Sequence, residues 1–175
     1  MSTRNILIYP DPRLANVAKA VTFPLSHDVR ALIQDMTETM YDAPGVGLAA
    51  PQVGVSLRIA ITDTIWRNEE NKKTDTRDLW VWINPQIVWK SDTTAPFEEG
   101  CLSVPETYEE VTRPIAVRIR WYDEQGKQHE AEFDGFMATA LQHEFDHLNG
   151  RLFVDYLSPL KRRMIAKRMQ KHFIE

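Results

Sequence analysis

The stretch Gln142-His143-Glu144-Phe145-Asp146-His147 holds the residues best suited to chemistry. On a helix, His143 and His147 share one face a turn apart, so both imidazoles can reach a single metal ion. Glu144 stands beside them, where a carboxylate can take a proton from a water on that ion. The same spacing also occurs on solvated polar helix faces. The motif therefore gains meaning only if the chain supplies a third ligand, an oxyanion donor and a substrate cleft.

A catalytic metal site takes three protein ligands and keeps one position open. Cys101 stands out as the third ligand: it is the only cysteine, and it follows Gly100, where the backbone can bring the sulfur up to a cleft. Glu98 and Glu99 are carboxylate rivals, and a small buried apolar residue is the bland reading of Cys101. A zinc peptidase built on His-Glu-x-x-His takes its third His or Glu downstream. Here only His172 and Glu175 follow, both at the end of the chain. A structural zinc site wants four closed ligands, and no fourth is evident.

The chain has 175 residues, 43% hydrophobic and 26% charged, as expected of one soluble globular domain spanning residues 1–175. A net charge of −4 gives no reason to expect DNA as a partner. One cysteine excludes an intramolecular disulfide and fits a reducing compartment. The apolar run after Met1-Ser2-Thr3-Arg4-Asn5 is too short for a signal peptide, and no segment approaches the ~20 apolar residues of a membrane span. The cytoplasm is the expected location.

Asp134 is read as the cap of the histidine-bearing helix and Gly150 as its stop, with Phe136, Ala140 and Leu148 turned mostly inward. Upstream, Ile6 to Tyr9 reads as extended. Ser26 caps a helix to about Tyr41, its stripe formed by Val29, Leu32, Ile33, Met36 and Met40. The uncharged run Gly45-Val46-Gly47-Leu48-Ala49-Ala50-Pro51-Gln52-Val53-Gly54 fits either a tight buried turn, which spacing favours, or a strand edge that pairs with an extended peptide. Arg58 to Thr62 reads as a strand. Trp66 to Asp78 is strongly polar and is expected to be a mobile surface loop with few core residues. Leu79–Ile83 and Gln86–Trp89 read as strand pieces around Asn84-Pro85, with Trp80 and Trp82 on one face. Ile115–Tyr122 and Gln128–Phe133 read as a hairpin. Arg151 to Leu157 is expected to be extended. Ser158-Pro159 opens a basic C-terminal helix over residues 158–175, with an apolar stripe of Leu160, Met164, Ile165, Met169 and Phe173. The fold class is α+β: mainly antiparallel sheets around a central metal-binding helix, followed by a C-terminal helix.

Three stretches taken together, Gly45 to Gln52, Glu99-Gly100-Cys101-Leu102-Ser103 and Gln142 to Gly150, resemble the motifs of the bacterial peptide deformylases, in the same order. The resemblance runs from about Ile6 to Leu160, and the terminal helix is similar to that of the Gram-negative-type members. It implies a hydrolase that removes the N-formyl group from the formyl-methionine of nascent polypeptides and releases formate. Cys101, His143 and His147 correspond to the family's metal ligands, and Glu144 to its general base and acid. Gln52 and the Leu102 N–H correspond to its oxyanion donors. Val46 and Gly47 correspond to the edge that binds the peptide as an added strand, against the buried-turn reading. The ion implied is Fe(II), with Zn(II), Ni(II) or Co(II) suited to the same ligands. Phe136, Thr139 and Ala140, one or two turns before His143, are candidates for the methionine pocket. Tyr108 stands where many Gram-negative-type members have a substrate-contacting arginine, and Arg113 matches a structural arginine near the metal-binding helix. The polar loop from Trp66 is longer than usual for the family. A non-catalytic metal-binding or ribosome-associated domain would be expected to lack Glu144 or Gln52, yet both are present. A monomer is expected, and the basic face of the terminal helix could contact the ribosome.

Overall fold

The computed structural model describes residues 2–67 and 73–174. Among the described residues, two sheets and three α-helices are arranged so that one helix, α2 (Gly135–Leu148), lies at the centre. A five-stranded sheet runs in the order β1 (Gly47–Ala49), β2 (Ile59–Thr62), β3 (Trp80–Lys90), β6 (Ala116–Tyr122) and β7 (Gln128–Asp134). A separate hairpin is formed by β4 (Thr94–Cys101) and β5 (Val104–Pro114). Every strand pairing in both sheets is antiparallel.

Side-chain alternation explains how the sheet is covered. In β6, Val117, Ile119 and Trp121 point to the core, while Arg118 and Arg120 face outward and meet Glu132 and Glu130 of β7. The apolar face packs on Ala138, Leu141, Phe145 and Leu148 of α2. Trp80 and Trp82 share a face as expected, their rings stacked 5.2 Å apart at 7°. Trp82 also meets Trp121, Phe133 and Phe145 edge-on. Each such ring pair adds about 0.5–1.5 kcal/mol beyond burial. β2 is buried along its whole length because α1 (His27–Asp42) packs near it as well as α2. Ser26 caps α1 by accepting from the Val29 N–H.

Several expectations need correction. Asn84-Pro85 does not split β3: the strand runs through it, with register shifts and Asn84 at φ 48°. The β4–β5 hairpin was not foreseen, because Thr94–Glu98 is exposed throughout and shows no apolar alternation, while the buried face of the hairpin carries Glu99, Thr107 and Arg113 in place of apolar residues. Asp134 precedes α2 but makes no side-chain cap bond. Arg151–Leu157 is not extended: Phe153–Tyr156 forms a 3-10 turn, closed by the Asp155 carboxylate accepting from the Leu152 N–H. In α3 (Pro159–His172) only Ile165 and Met169 of the stripe are buried, whereas Leu160 and Met164 are each 61% exposed. α3 lies on β5 through Lys161–Glu109 and through Arg168, which donates to Thr107 Oγ1.

The polar loop also differs from expectation. Residues 68–72, including Glu69, Glu70 and Lys72, lie outside the described residues. At its start, Trp66 is a core residue, 1% exposed, because its indole N–H is satisfied by the Gly45 carbonyl at 2.9 Å. No helix among the described residues is long and apolar enough to cross a membrane.

Candidate active site

The β4–β5 hairpin turns tightly at Leu102-Ser103, which places Cys101 at its tip. α2 brings His143 and His147 up beside that tip. Cys101 Sγ, one His143 ring nitrogen and one His147 ring nitrogen all lie within 4.8 Å of one another, and Sγ stands 3.4 Å from His147 Nε2. Both histidines are buried.

Glu99, weighed as a rival ligand, has a different place. Its Oε1 accepts from His143 Nδ1 at 3.0 Å, which leaves Nε2 to face Cys101 and Glu144. Fixing the far ring nitrogen in this way orients a ligating imidazole. Glu99 is in turn held by Arg113, at 2.6 Å from Nε and 3.0 Å from Nη2. Arg113 Nη1 also reaches Asp146 on α2 at 2.9 Å, and Tyr156 O–H donates to the same Asp146 carboxylate. Arg113 and Glu99 are 5% and 4% exposed, so this is a buried charge network that ties the hairpin to α2. Burial opposes the charge on each partner, but the ion pairs outweigh it: the Glu99 carboxyl is held below its ordinary range and the Arg113 guanidinium is held more firmly charged.

These residues fit a divalent metal ion. Burial, with the His143 and Arg113 charges nearby, lowers His147 well below the ordinary histidine range, so its ring is neutral as a ligand must be. Burial pushes His143 the same way, yet the Cys101 sulfur and the Glu99 carboxylate outweigh it and raise its proton affinity well above normal. The surroundings of His143 Nε2 thus favour positive charge, whether a proton or a metal ion. Sulfur and two imidazoles form a donor set for Fe(II), Zn(II), Ni(II) or Co(II).

Glu144 is 5% exposed, with Oε1 3.8 Å from His143 Nε2 and Oε2 buried with no hydrogen-bond partner among the described residues. Burial pushes its carboxyl up to about 7, in the range where a group can both take and return a proton near neutral pH. A side chain at position 47 would put its Cβ 2.7 Å from Glu144 Oε1, and one at position 45 would strike Leu102 Cδ1 at the same distance. The glycines therefore let this segment close over Glu144 and the hairpin tip.

Gln52 is buried in a 3-10 turn, Ala50–Val53, where Oε1 accepts from the Ala49 N–H. That bond fixes the amide so that Nε2 points at Cys101 Sγ (3.5 Å) and Ser103 Oγ (3.1 Å). The stretch 6–9 forms no strand and ends in a turn at Tyr9: Leu7 N–H donates to the Gln52 carbonyl and Tyr9 N–H to that of Ser103. It thereby braces both groups.

A cleft of about 1340 Å³ opens over this cluster. One wall holds Val46 and Gly47; the other includes Leu102 and Tyr108, and Phe136, Thr139 and Ala140 of α2 line the space near His143. Phe136 is not turned inward: it is 41% exposed, its ring 5.4 Å from that of Phe97 on β4. Phe97 was missed from sequence because β4 was. Tyr108 is 65% exposed and packs over Gly100. β1 is an edge strand, paired only to β2 among the described residues. Asp63 N–H donates to the Val46 carbonyl, so ladder alternation turns the N–H and C=O of Gly47 away from β2, toward the cleft.

Comparison with known proteins agrees with this geometry. A family model described as polypeptide deformylase matches residues 3–163. The chain is 49% identical over 171 residues to a peptide deformylase of Methylocella silvestris, covering 98% of this chain and 85% of the relative. It is 49% identical over 175 residues to peptide deformylase 1 of Ralstonia nicotianae, covering 100% and 98%. Among solved structures, a peptide deformylase from Legionella pneumophila superposes with a TM-score of 0.86 at 46% identity, over 97% of this chain and 94% of that one. That of Ehrlichia chaffeensis in complex with actinonin gives 0.90 at 36% identity, over the whole of both chains. A Cys-His-His cluster beside a buried glutamate, in a cleft with an open strand edge, thus sits in a chain that belongs to the polypeptide deformylase family, the hydrolases that remove the N-formyl group from nascent polypeptides.

Proposed function

We propose that Cys101, His143 and His147 hold the catalytic metal of this deformylase, and that Glu144 moves the protons. The observation that carries this reading is the juxtaposition of the three ligand atoms, within 4.8 Å of one another, with a buried, raised-pKa Glu144. When bound there, a divalent ion supplies Lewis acidity toward the formyl oxygen and acidifies water. Glu144 accepts the proton of the attacking water and delivers it to the methionine nitrogen as formate leaves. The Leu102 N–H and Gln52 Nε2 donate to the oxygen that gains charge. A donor of this kind is worth roughly 3 kcal/mol of barrier. Gln52 Nε2 stands 3.5 Å from Cys101 Sγ and 3.1 Å from Ser103 Oγ, so its amide protons lie beside the place that oxygen would take.

The formyl-methionine chain lies along Val46 and Gly47 as an added strand. Its methionine side chain enters the space bounded by Phe136, Thr139 and Ala140, with Phe97 closing the mouth. Tyr108 borders the path of the following residues. The chain acts as one catalytic domain over residues 1–175 and as a monomer in the cytoplasm, in keeping with its lone thiol. Fe(II) is the working ion, and the basic face of α3 offers a contact to the ribosome.

The test is formate release from a formyl-Met tripeptide by Fe(II)-loaded protein without oxygen. Glu144→Gln should retain metal and lose about 10²–10⁴-fold in turnover. Full activity in that variant removes the base assignment, and peptide-bond cleavage in place of formate release would favour a peptidase.

A further inference from the structure

We propose that Trp66 is a positioning residue for the deformylase reaction, setting the height of the Pro44–Gly47 backbone against which the peptide lies. The inference rests on the reading of Val46 and Gly47 as the substrate edge. Three successive carbonyls of that segment are captured by three residues of one short stretch. Arg67 Nη1 donates to the Pro44 carbonyl at 2.8 Å, Trp66 Nε1 to that of Gly45 at 2.9 Å, and the Asp63 N–H to that of Val46 at 2.8 Å. The first carbonyl past this clasp belongs to Gly47, which faces the cleft. The clasp therefore fixes the backbone up to the point where a peptide would begin to pair.

The stretch is itself held rigid from behind. The buried Asp63 carboxylate accepts the N–H groups of Ile65, Trp66 and Asp78 and the Tyr41 hydroxyl. The Trp66 ring meets Tyr41 edge-on at 5.1 Å and lies under the Arg77 guanidinium at 4.9 Å. These contacts leave the indole one orientation, with its N–H aimed at Gly45. A tryptophan needed only to fill space would not require that donor. Phenylalanine, which keeps most of the ring and lacks the N–H, separates the two roles.

The experiment compares Trp66→Phe with the parent on two substrates, a formyl-Met tripeptide and N-formylmethionine amide, which is too short to continue along the edge beyond the methionine. Leaving a buried carbonyl unpaired predicts a rise of about tenfold in KM for the tripeptide, with kcat within about twofold. The amide substrate should keep its kcat/KM, metal content should not change, and amide hydrogens of residues 46 and 47 should exchange faster. An unchanged tripeptide KM overturns the proposal, as does an equal fall in kcat on both substrates. If the parent itself treats the two substrates alike, the edge reading fails and takes the proposal with it. Should Trp66→Phe not fold, Arg67→Met, which releases the Pro44 carbonyl and keeps the Trp66 N–H on Gly45, should give the same KM-selective change to a smaller degree, and a kcat effect in its place counts against the clasp.

Discussion

On one side of the cleft the elements that carry the proposed metal ligands are anchored by charge. Arg113 bridges Glu99 of the hairpin to Asp146 of α2, and Glu99 passes the constraint on to the His143 ring. On the other side the proposed substrate edge is anchored by hydrogen bonds to carbonyls, made by Asp63, Trp66 and Arg67. The difference follows from what each side must do. A metal site needs imidazoles fixed in orientation against a concentrated charge, and buried ion pairs lock orientation strongly because breaking one strands its partner. A strand edge needs its backbone held at one height with its outer groups left free, which hydrogen bonds to its inner carbonyls achieve.

Breaking the charged side should have the larger effect. Arg113→Met leaves Glu99 and Asp146 facing each other in a buried setting, and should cost about 3–5 kcal/mol of stability, read from the denaturant midpoint. A loss below about 1 kcal/mol would mean that the pair behaves as a solvated one. Glu99→Gln keeps an acceptor for His143 Nδ1 but removes the charge. Metal affinity should fall about 10–100-fold in chelator competition, with the fold retained.

The hydrogen-bonded side should give smaller, pH-marked effects. Burial alone would raise the Asp63 carboxyl, but the Tyr41 hydroxyl and the backbone N–H groups of Asp78, Trp66 and Ile65 hold it below its ordinary range. A carboxyl lowered in the fold contributes stability above its unfolded pKa of about 3.9 and loses it as pH falls through the lower folded value. The stability gap between the parent and Asp63→Asn should thus be full at neutral pH and narrow in acid below about pH 4, in urea titrations across that range. A gap that widened in acid would contradict the hydrogen bonding described.

The two sides were also unequally legible in the sequence. His143, Glu144 and His147 declare themselves by type and spacing, and Cys101 by being the only thiol. The α1 and α2 helices, the β6–β7 hairpin and the Ser158-Pro159 start of α3 followed from periodicity and capping. Of the anchoring residues, Arg113 was marked only by the family resemblance, and Glu99, Asp63 and Trp66 were not marked as anchors at all. Glu99 stood only as a rival to Cys101 for the third ligand, because a carboxylate two residues from a cysteine has no sequence mark that says it will turn to a histidine instead. Trp66 stood at the head of a polar run and was assigned to the surface. Its burial depends on a backbone carbonyl some twenty residues upstream, and carbonyls leave no trace in residue types. Leu160 and Met164 failed for a different reason: period identifies a stripe, but not whether a neighbour is long enough to cover all of it.

An open β1 edge, proposed above to receive a peptide, carries a hazard that its geometry limits. An unpaired strand edge will accept any extended chain, including the same edge of another copy, and long flat edges seed aggregation. β1 is only three residues long, buried throughout, and gives way at once to a 3-10 turn. On the proposed reading a flexible chain terminus reaches so short an edge more readily than a folded sheet does, so the same recess would favour a nascent peptide over a second copy of the protein.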